Sequence, residues 1–429
     1  LKNILNLIAR LKKSPYVRNV ATLATGTTMA QAVSLITAPI LYRIYSQVDY
    51  GTLGLYMAIV GVVGVFSTMQ YVQPILLEKE DDDAKYVMWL NRVINVSVSI
   101  LIMLFVAVFG TYIGRLLGNE GIAPWLWLAP ISVFFGGQGQ IFEIWANRKK
   151  KYKILSFNAI LSAILVPIVS ISVGLYDNGP LGLFLGLLVS QVVPPIVLLI
   201  TLTKYDDLGL KYLKWDRIKM KAKQHKSFPI YRLPSDFINR LSNQLPVFML
   251  SAFAGPAVVG IYNLCVRMLG LPIQLIGGAL STVFQQKAAQ DFNETGSFNA
   301  IYVKTFKMLS LIAIVPLFIM LLFGPFIFAF VFGEEWRESG IFARIIIGMY
   351  MMKLIVSPLS YSWYILNRLQ ESFLIHIYML VSNFLIFMVG FKLTDNYLIV
   401  IGLFSVNYIL IYLYTLTRTY TLSKKRILL

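Results

Sequence analysis

From residue 20 onward the chain repeats one pattern, a continuous apolar run of about 20 residues followed by a short polar stretch. The runs fall at residues 20–42, 52–76, 90–114, 121–145, 154–175, 180–203, 228–252, 256–283, 302–331, 340–366, 371–393 and 397–420. At a rise of about 1.5 Å per residue each is long enough to cross roughly 30 Å of hydrocarbon as a helix. Within the runs apolar residues are continuous rather than alternating, so membrane β-strands are not expected. The pattern predicts an all-α membrane protein of twelve transmembrane helices, and an even number puts both termini on the same side.

Composition agrees with that pattern. Hydrophobic residues make up 57% and charged residues only 14% of the 429, with a mean hydropathy of +0.70, whereas soluble domains carry about a quarter charged residues. The net charge of +18 points toward nucleic acid in a soluble protein, but here it has a topological reading. Lys and Arg on the segments sharing a side with the termini outnumber those opposite several-fold, which places both termini in the cytoplasm. The runs "RKKKYK" (148–153) and the loop 204–226 are read as topology signals that also touch anionic membrane lipids, with no nucleic-acid partner. Residues 1–19 put Leu1, Ile4, Leu5, Ile8 and Leu11 on one helical face and Lys2, Arg10, Lys12 and Lys13 elsewhere, the signature of a basic amphipathic segment lying on the cytoplasmic membrane surface. One cysteine and two histidines leave no disulfide framework and no zinc or thiol site, and no cofactor is expected. Outer loops are too short for a catalytic domain.

The chain also looks duplicated. A shift of 206 residues lays "VDYGTLGLYMAI" (48–59) over "AGPAVVGIYNLC" (254–265), so that Gly54-Leu55-Tyr56 meets Gly260-Ile261-Tyr262; "LLGNE" (116–120) resembles "VFGEE" (331–335) at a similar shift. Each half holds six spans, so the copies share one orientation and are related by a pseudo-two-fold axis along the membrane normal, the arrangement of transporters that rock two lobes about a central site. The domain reading is an N-lobe over 20–203, a basic cytoplasmic linker over 204–227, a C-lobe over 228–420 and a basic tail over 421–429.

Most charges sit at span ends, where they reach the interface. Three cations do not: Arg240 in the seventh span, Arg267 in the eighth and Lys353 in the tenth, each near mid-depth. A cation there costs about 2.5–3.5 kcal/mol on the lenient insertion scale, so all three are expected to face a wet or protein-lined interior. Arg232, Asp236, Arg240 and Asn243 share a helical stripe, as do Asn263 and Arg267, and Asp236 is placed to pair with Arg240. The first half carries only neutral groups at that depth, Thr27, Thr28, Gln31 and Asn158. A positive midplane cavity suits an anion, and arginine's fork of donors suits phosphate oxygens. Arg240, Arg267, Lys353, Asn243 and Asn263 are therefore the candidate substrate-binding residues. The competing packing reading has Arg240 paired with Asp236, Arg267 bonded to helix carbonyls and Lys353 snorkelling.

At "LATGTTMAQAVSLITAPILYRIYSQVDYGTLGLYMAIVGVVGVFSTMQY" (23–71), at "GIYNLCVRM" (260–268) and at "FGEEWRESG" (332–340) the chain resembles the bacterial polysaccharide flippases of the O-antigen or Wzx type, within the superfamily that includes the multidrug and toxin extrusion transporters. The resemblance implies a two-lobed carrier, not an enzyme. It would move an undecaprenyl-pyrophosphate-linked oligosaccharide from the inner to the outer leaflet of the bacterial plasma membrane by alternating access, alongside a polysaccharide polymerase and chain-length machinery. It also implies coupling to H+ or Na+, for which Asp236, Glu143 and His376 are the candidates, although the first span lacks the acid that couples cations in some drug-exporting relatives. The alternative, a multidrug or metabolite exporter of the same superfamily, normally takes cationic lipophiles, for which three central cations are unsuitable. A membrane glycosyltransferase, polymerase or ligase needs acids or histidines on a sizeable outer loop, and the chain has neither.

Overall fold

The computed structural model describes residues 15–177 and 179–424. Among them every regular element is helical: α1 (Pro15–Ile44), α2 (Gln47–Val63), α3 (Asp81–Leu116), α4 (Ala129–Arg148), α5 (Tyr152–Gly174), α6 (Leu181–Thr203), α7 (Trp215–Gln224), α8 (Leu233–Ala254), α9 (Pro256–Pro272), α10 (Gly278–Thr295), α11 (Asn299–Phe332), α12 (Arg337–Leu359), α13 (Leu369–Leu393) and α14 (Tyr397–Ser423). Most of the amphipathic segment expected over 1–19, and residues 425–429 of the tail, lie outside the described residues.

Nine helical stretches among the described residues are long and apolar enough to cross a membrane. They are α2 with its continuation to Thr68, α3, α5, α6, the α9–α10 run, α11, α12 with the turn after it, α13 and α14. The other three expected runs are helical but more polar. α1 carries Thr25, Thr27, Thr28 and Gln31, α4 carries the run Gly136 to Gln140, and α8 carries Asp236, Asn239, Arg240, Asn243 and Gln244. Amides and charges on lipid-facing positions would be costly, so polar helices of this kind belong against protein or water.

Short connections have local causes. Ser46 caps α2 reciprocally: its hydroxyl accepts from Asp49 N–H at 3.2 Å while Asp49 Oδ2 accepts from Ser46 N–H at 3.0 Å. Between α8 and α9, Gly255 takes φ +85° and Pro256 opens the next helix, a left-handed position that an L side chain adopts only with strain. Asn396 caps α14 by accepting from Leu398 N–H at 2.9 Å.

The chain divides into two compact units that meet between Arg240 and Leu241, inside α8. In the first, α1 packs on α5, α5 on α6, α6 on α4 and α4 on α3, and α7 lies against α3. Its core is densest where Val87, Met88, Ile141, Trp145, Leu198 and Leu202 meet Tyr212 and Ile218, so the linker contributes to the core rather than hanging free. In the second unit α12 is the central helix, packed against α9, α10, α11 and α14, and α13 lies on α14. α11 and α12 approach so closely that a Cβ on Gly340 would land on the backbone of Gly324 and Pro325.

Candidate functional site

The three cations expected at mid-depth differ in setting. Arg240 and Arg267 are exposed and Lys353 is half-buried, its Nζ 5.6 Å from the Tyr350 ring centroid. Among the described residues none of the three has a carboxylate within 4 Å. Asp236 pairs with Arg232 at 3.5 Å, one turn earlier, and not with Arg240 as the sequence stripe had implied. Both neighbours are four residues away on the same helical face. Pairing at the polar helix entrance leaves Arg240 uncompensated.

The two units receive different members of the candidate set. α9 carries Asn263 and Arg267, α12 carries Lys353, and these helices pack together within the second unit. Asn263 has a buried side-chain Nδ2 with no hydrogen-bond acceptor among the described residues, a donor left open beside the arginine one turn on. Arg240 closes the first unit and Asn243 is exposed near the start of the second, both on α8. Of the residues considered for ion coupling, Glu143 is exposed on α4, and His376 is exposed on α13 with Nδ1 at 2.7 Å from the Ser372 carbonyl, one turn back on its own helix. No group of three His, Cys, Asp or Glu among the described residues is arranged to hold a metal.

Two helix breaks were not visible in the hydropathy. The run expected over 52–76 is α-helical only to Val63; a 3-10 stretch follows over Gly64–Thr68, and then Met69 and Gln70 take φ of +47° and +62°. Consecutive left-handed non-glycine residues are strained, and irregular backbone at membrane depth persists only against protein or a wet cavity. Asn91 of α3 supports the break by donating from Nδ2 to the Tyr71 carbonyl at 2.8 Å, while its buried Oδ1 and the buried hydroxyl of Ser67 have no partner among the described residues. In the second half a π-turn over Ile273–Gly277 separates α9 from α10. The 206-residue shift that aligns Tyr56 with Tyr262 lays residues 67–71 on 273–277, so the π-turn of the second half overlaps the left-handed pair Met69 and Gln70 of the first.

A second group the sequence reading missed lies in the first unit, where the start of α3 meets α7. Lys221 Nζ is 2.8 Å from Glu78 Oε2 and 2.8 Å from Asp83 Oδ2, and His225 Nε2 is 2.7 Å from Glu78 Oε1. Tyr71, inside the break, donates to the Ala222 carbonyl at 3.1 Å. Burial works to lower the Lys221 pKa, but the carboxylates of Asp83 and Glu78 more than offset it and the net displacement is upward. Lys149, between Asp81 and Asp206, is held up in the same way against burial. Arg148 donates to the Ile75 and Glu78 carbonyls at 2.9 and 2.7 Å. Part of the basic content read as topology signal is therefore an ion-pair seat for the linker. The signal was present in the acid run "EKEDDDAK" (78–85), whose charge complements the linker more than a hundred residues away.

A family model described as polysaccharide biosynthesis protein matches residues 40–340. The chain belongs to the polysaccharide biosynthesis protein family. This polysaccharide biosynthesis protein is 22% identical over 326 residues to the lipopolysaccharide biosynthesis protein WzxC of Escherichia coli (strain K12), covering 73% of this chain and 63% of the relative. It is 27% identical over 134 residues, 31% of this chain and 27% of the relative, to the teichuronic acid biosynthesis protein TuaB of Bacillus subtilis (strain 168). It thus spans less than two thirds of the length of either relative. Its fold is similar to that of the lipid II flippase MurJ in an inward closed conformation, with a TM-score of 0.71, 16% identity and coverage of 94% of this chain and 89% of that one. It is also similar to an inward-facing multidrug resistance MATE family transporter of the MOP superfamily, at 0.66, 15%, 94% and 100%. This polysaccharide biosynthesis protein is a multi-pass membrane protein with a MATE-like helical fold.

Proposed function

We propose that this protein moves a lipid-linked oligosaccharide, anchored through undecaprenyl pyrophosphate, from the inner to the outer leaflet of the bacterial plasma membrane. Both termini are cytoplasmic, six helices from each half form a pseudo-symmetric pair, and the halves alternate access. The names of the relatives support the substrate class: WzxC is a lipopolysaccharide biosynthesis protein, TuaB a teichuronic acid biosynthesis protein, and MurJ a lipid II flippase. In the proposed mechanism Arg267 and Lys353, with Arg240 and the amides Asn243 and Asn263, hold the pyrophosphate at mid-depth. The sugars occupy hydrated space and the lipid tail stays in the bilayer.

The observation that carries this reading is Arg267, an exposed guanidinium at the middle of a membrane run with no carboxylate within 4 Å among the described residues. A lone cation at that depth costs about 2.5–3.5 kcal/mol, a penalty offset when an anionic ligand supplies the counter-charge. A drug exporter selecting cationic lipophiles would be opposed by the same charges. The test is translocation in reconstituted vesicles, scoring lipid-linked oligosaccharide that becomes accessible to a glycosidase on the far side. The wild-type protein should accelerate accessibility, and the Arg240→Ala/Arg267→Ala double variant should not. Wild-type rates from the double variant would refute the pyrophosphate site. Drug efflux without sugar-lipid movement would refute the function.

A further inference from the structure

The face of the second unit formed by α13 and α14 carries a groove of about 420 Å³ that the transport reading does not use. Two ridges bound it, Leu374 and Tyr378 on α13 and Leu410 and Tyr414 on α14, all more than half exposed, with Ile375 and the buried Ile411 as its floor. Residues four apart stack on one helical face, so the paired ridges make a continuous slot rather than scattered apolar positions. From Glu371 to Tyr378 the slot runs about 10 Å along the helix. In a membrane segment such a slot is filled by hydrocarbon.

One end of the slot is charged. Glu371 lies in the lining, accepts two hydrogen bonds from Arg418, through Nε at 3.0 Å and Nη2 at 3.1 Å, and also pairs with Arg368. Two guanidiniums against one carboxylate leave a single positive charge, and both arginines keep more than a third of their side-chain surface open. Lys424, 4.1 Å from the Tyr420 ring centroid, adds another cation just past the same end of α14. This end of α13 and α14 faces the side on which Lys and Arg concentrate, the cytoplasmic leaflet. The Arg368–Glu371–Arg418 cluster that closes the apolar slot carries one net positive charge, with Lys424 outside the lining, and so matches a lipid with a hydrocarbon chain and a single phosphodiester charge. It matches a pyrophosphate less well, because Glu371 already takes half the arginine charge.

From this we infer a binding site for an anionic phospholipid of the inner leaflet, with one acyl chain lying between α13 and α14 and its phosphate against Arg368 and Arg418. Being remote in sequence from Arg267 and Lys353, the site does not depend on the transport reading. Such a lipid would tie α13 to α14, which is otherwise the principal packing partner of α13.

Native mass spectrometry of the full chain, released from nanodiscs holding equal phosphatidylglycerol and phosphatidylcholine, tests the site. The wild-type protein should retain phosphatidylglycerol about fivefold over phosphatidylcholine, the preference expected for one charge near a membrane surface. Leu374→Trp/Leu410→Trp, which fills the slot and leaves Glu371, Arg368 and Arg418 in place, should remove the retained lipid. Arg418→Gln should abolish the preference between headgroups. Equal retention of both lipids by the wild-type protein, or retention unchanged in the slot-filled variant, overturns the proposal. So does complete displacement of phosphatidylglycerol by an equimolar polyprenyl phosphate, which would make the slot a seat for the substrate's tail.

Discussion

Lys221 Nζ and Glu78 Oε2 lie 2.8 Å apart with both side chains almost wholly removed from solvent, at 3% and 6% exposure. The two residues are separated by four membrane runs in sequence, and their pairing fixes α7 against the stretch that follows the broken half of the second run. A buried pair of this kind is weak evidence of net stabilisation, since desolvation of both charges opposes their attraction. Removing one partner alone is costly, because the other charge is then stranded.

Lys221→Met is therefore expected to destabilise the linker's seat by about 3–5 kcal/mol, leaving Glu78 facing only His225 and backbone. Lys221→Met/Glu78→Gln should lose less than the two single changes summed. Limited proteolysis at residues 204–227 reads this out. Strict additivity would show that the pair is not coupled.

The upward displacement of the Lys221 pKa gives a pH dependence of definite sign. A group whose folded pKa exceeds its unfolded one contributes stability that is fully present below the unfolded lysine value, near 10.5, and is lost as pH rises through the folded value. Docking of α7 should thus be insensitive to lysine titration across neutral pH and fail only in strong alkali. Competitive acetylation followed by peptide mass analysis should give Lys221 a titration midpoint above the ordinary lysine value. A midpoint below it would contradict the ion-pair seat.

In the second unit, Gly340→Ala should destabilise by about 1–3 kcal/mol or more, because the new methyl meets backbone of Gly324 and Pro325 rather than a movable side chain. Gly270→Ala is the control, having open space around the same atom. Fluorescence-detected size-exclusion chromatography after heating compares the two. Equal stability would mean that α11 and α12 separate more easily than their packing implies.

Strain at the first helix break has its own signature. Gln70→Val places a β-branched side chain at φ +62° and should destabilise by about 1–3 kcal/mol, while Gln70→Gly should be neutral or stabilising on this count. Transport should survive Gln70→Gly if the glycine keeps the break in place.

If arginine's fork matters at Arg267, Arg267→Lys should retain charge but lose most of the rate in the vesicle assay, falling between wild type and Arg267→Ala. A lysine variant with full activity would mean that charge alone suffices there.

Hydropathy runs, their lengths and the side on which Lys and Arg gather are properties of residues taken singly or in local windows. They alone gave an all-helical membrane protein and the apolar runs that carry Arg240, Arg267 and Lys353. A cation within an apolar run is conspicuous because its transfer cost does not depend on knowing its neighbours. What the sequence left open depends on pairing at a distance. Asp236 had two arginines at equal spacing, and the folded helix joined it to Arg232. Glu78 and Lys221 carry no local mark, since an acid run and a basic linker each look like solvated charge until the chain folds one onto the other. The break after Val63 was likewise hidden, because apolar residues fit a 3-10 turn or an α-helix equally well, and only support from residues such as Asn91 decides which. Composition and periodicity fix where chain can enter lipid; the tertiary structure decides which buried polar groups find each other there, because in a medium without water each such group must take its partner from the protein.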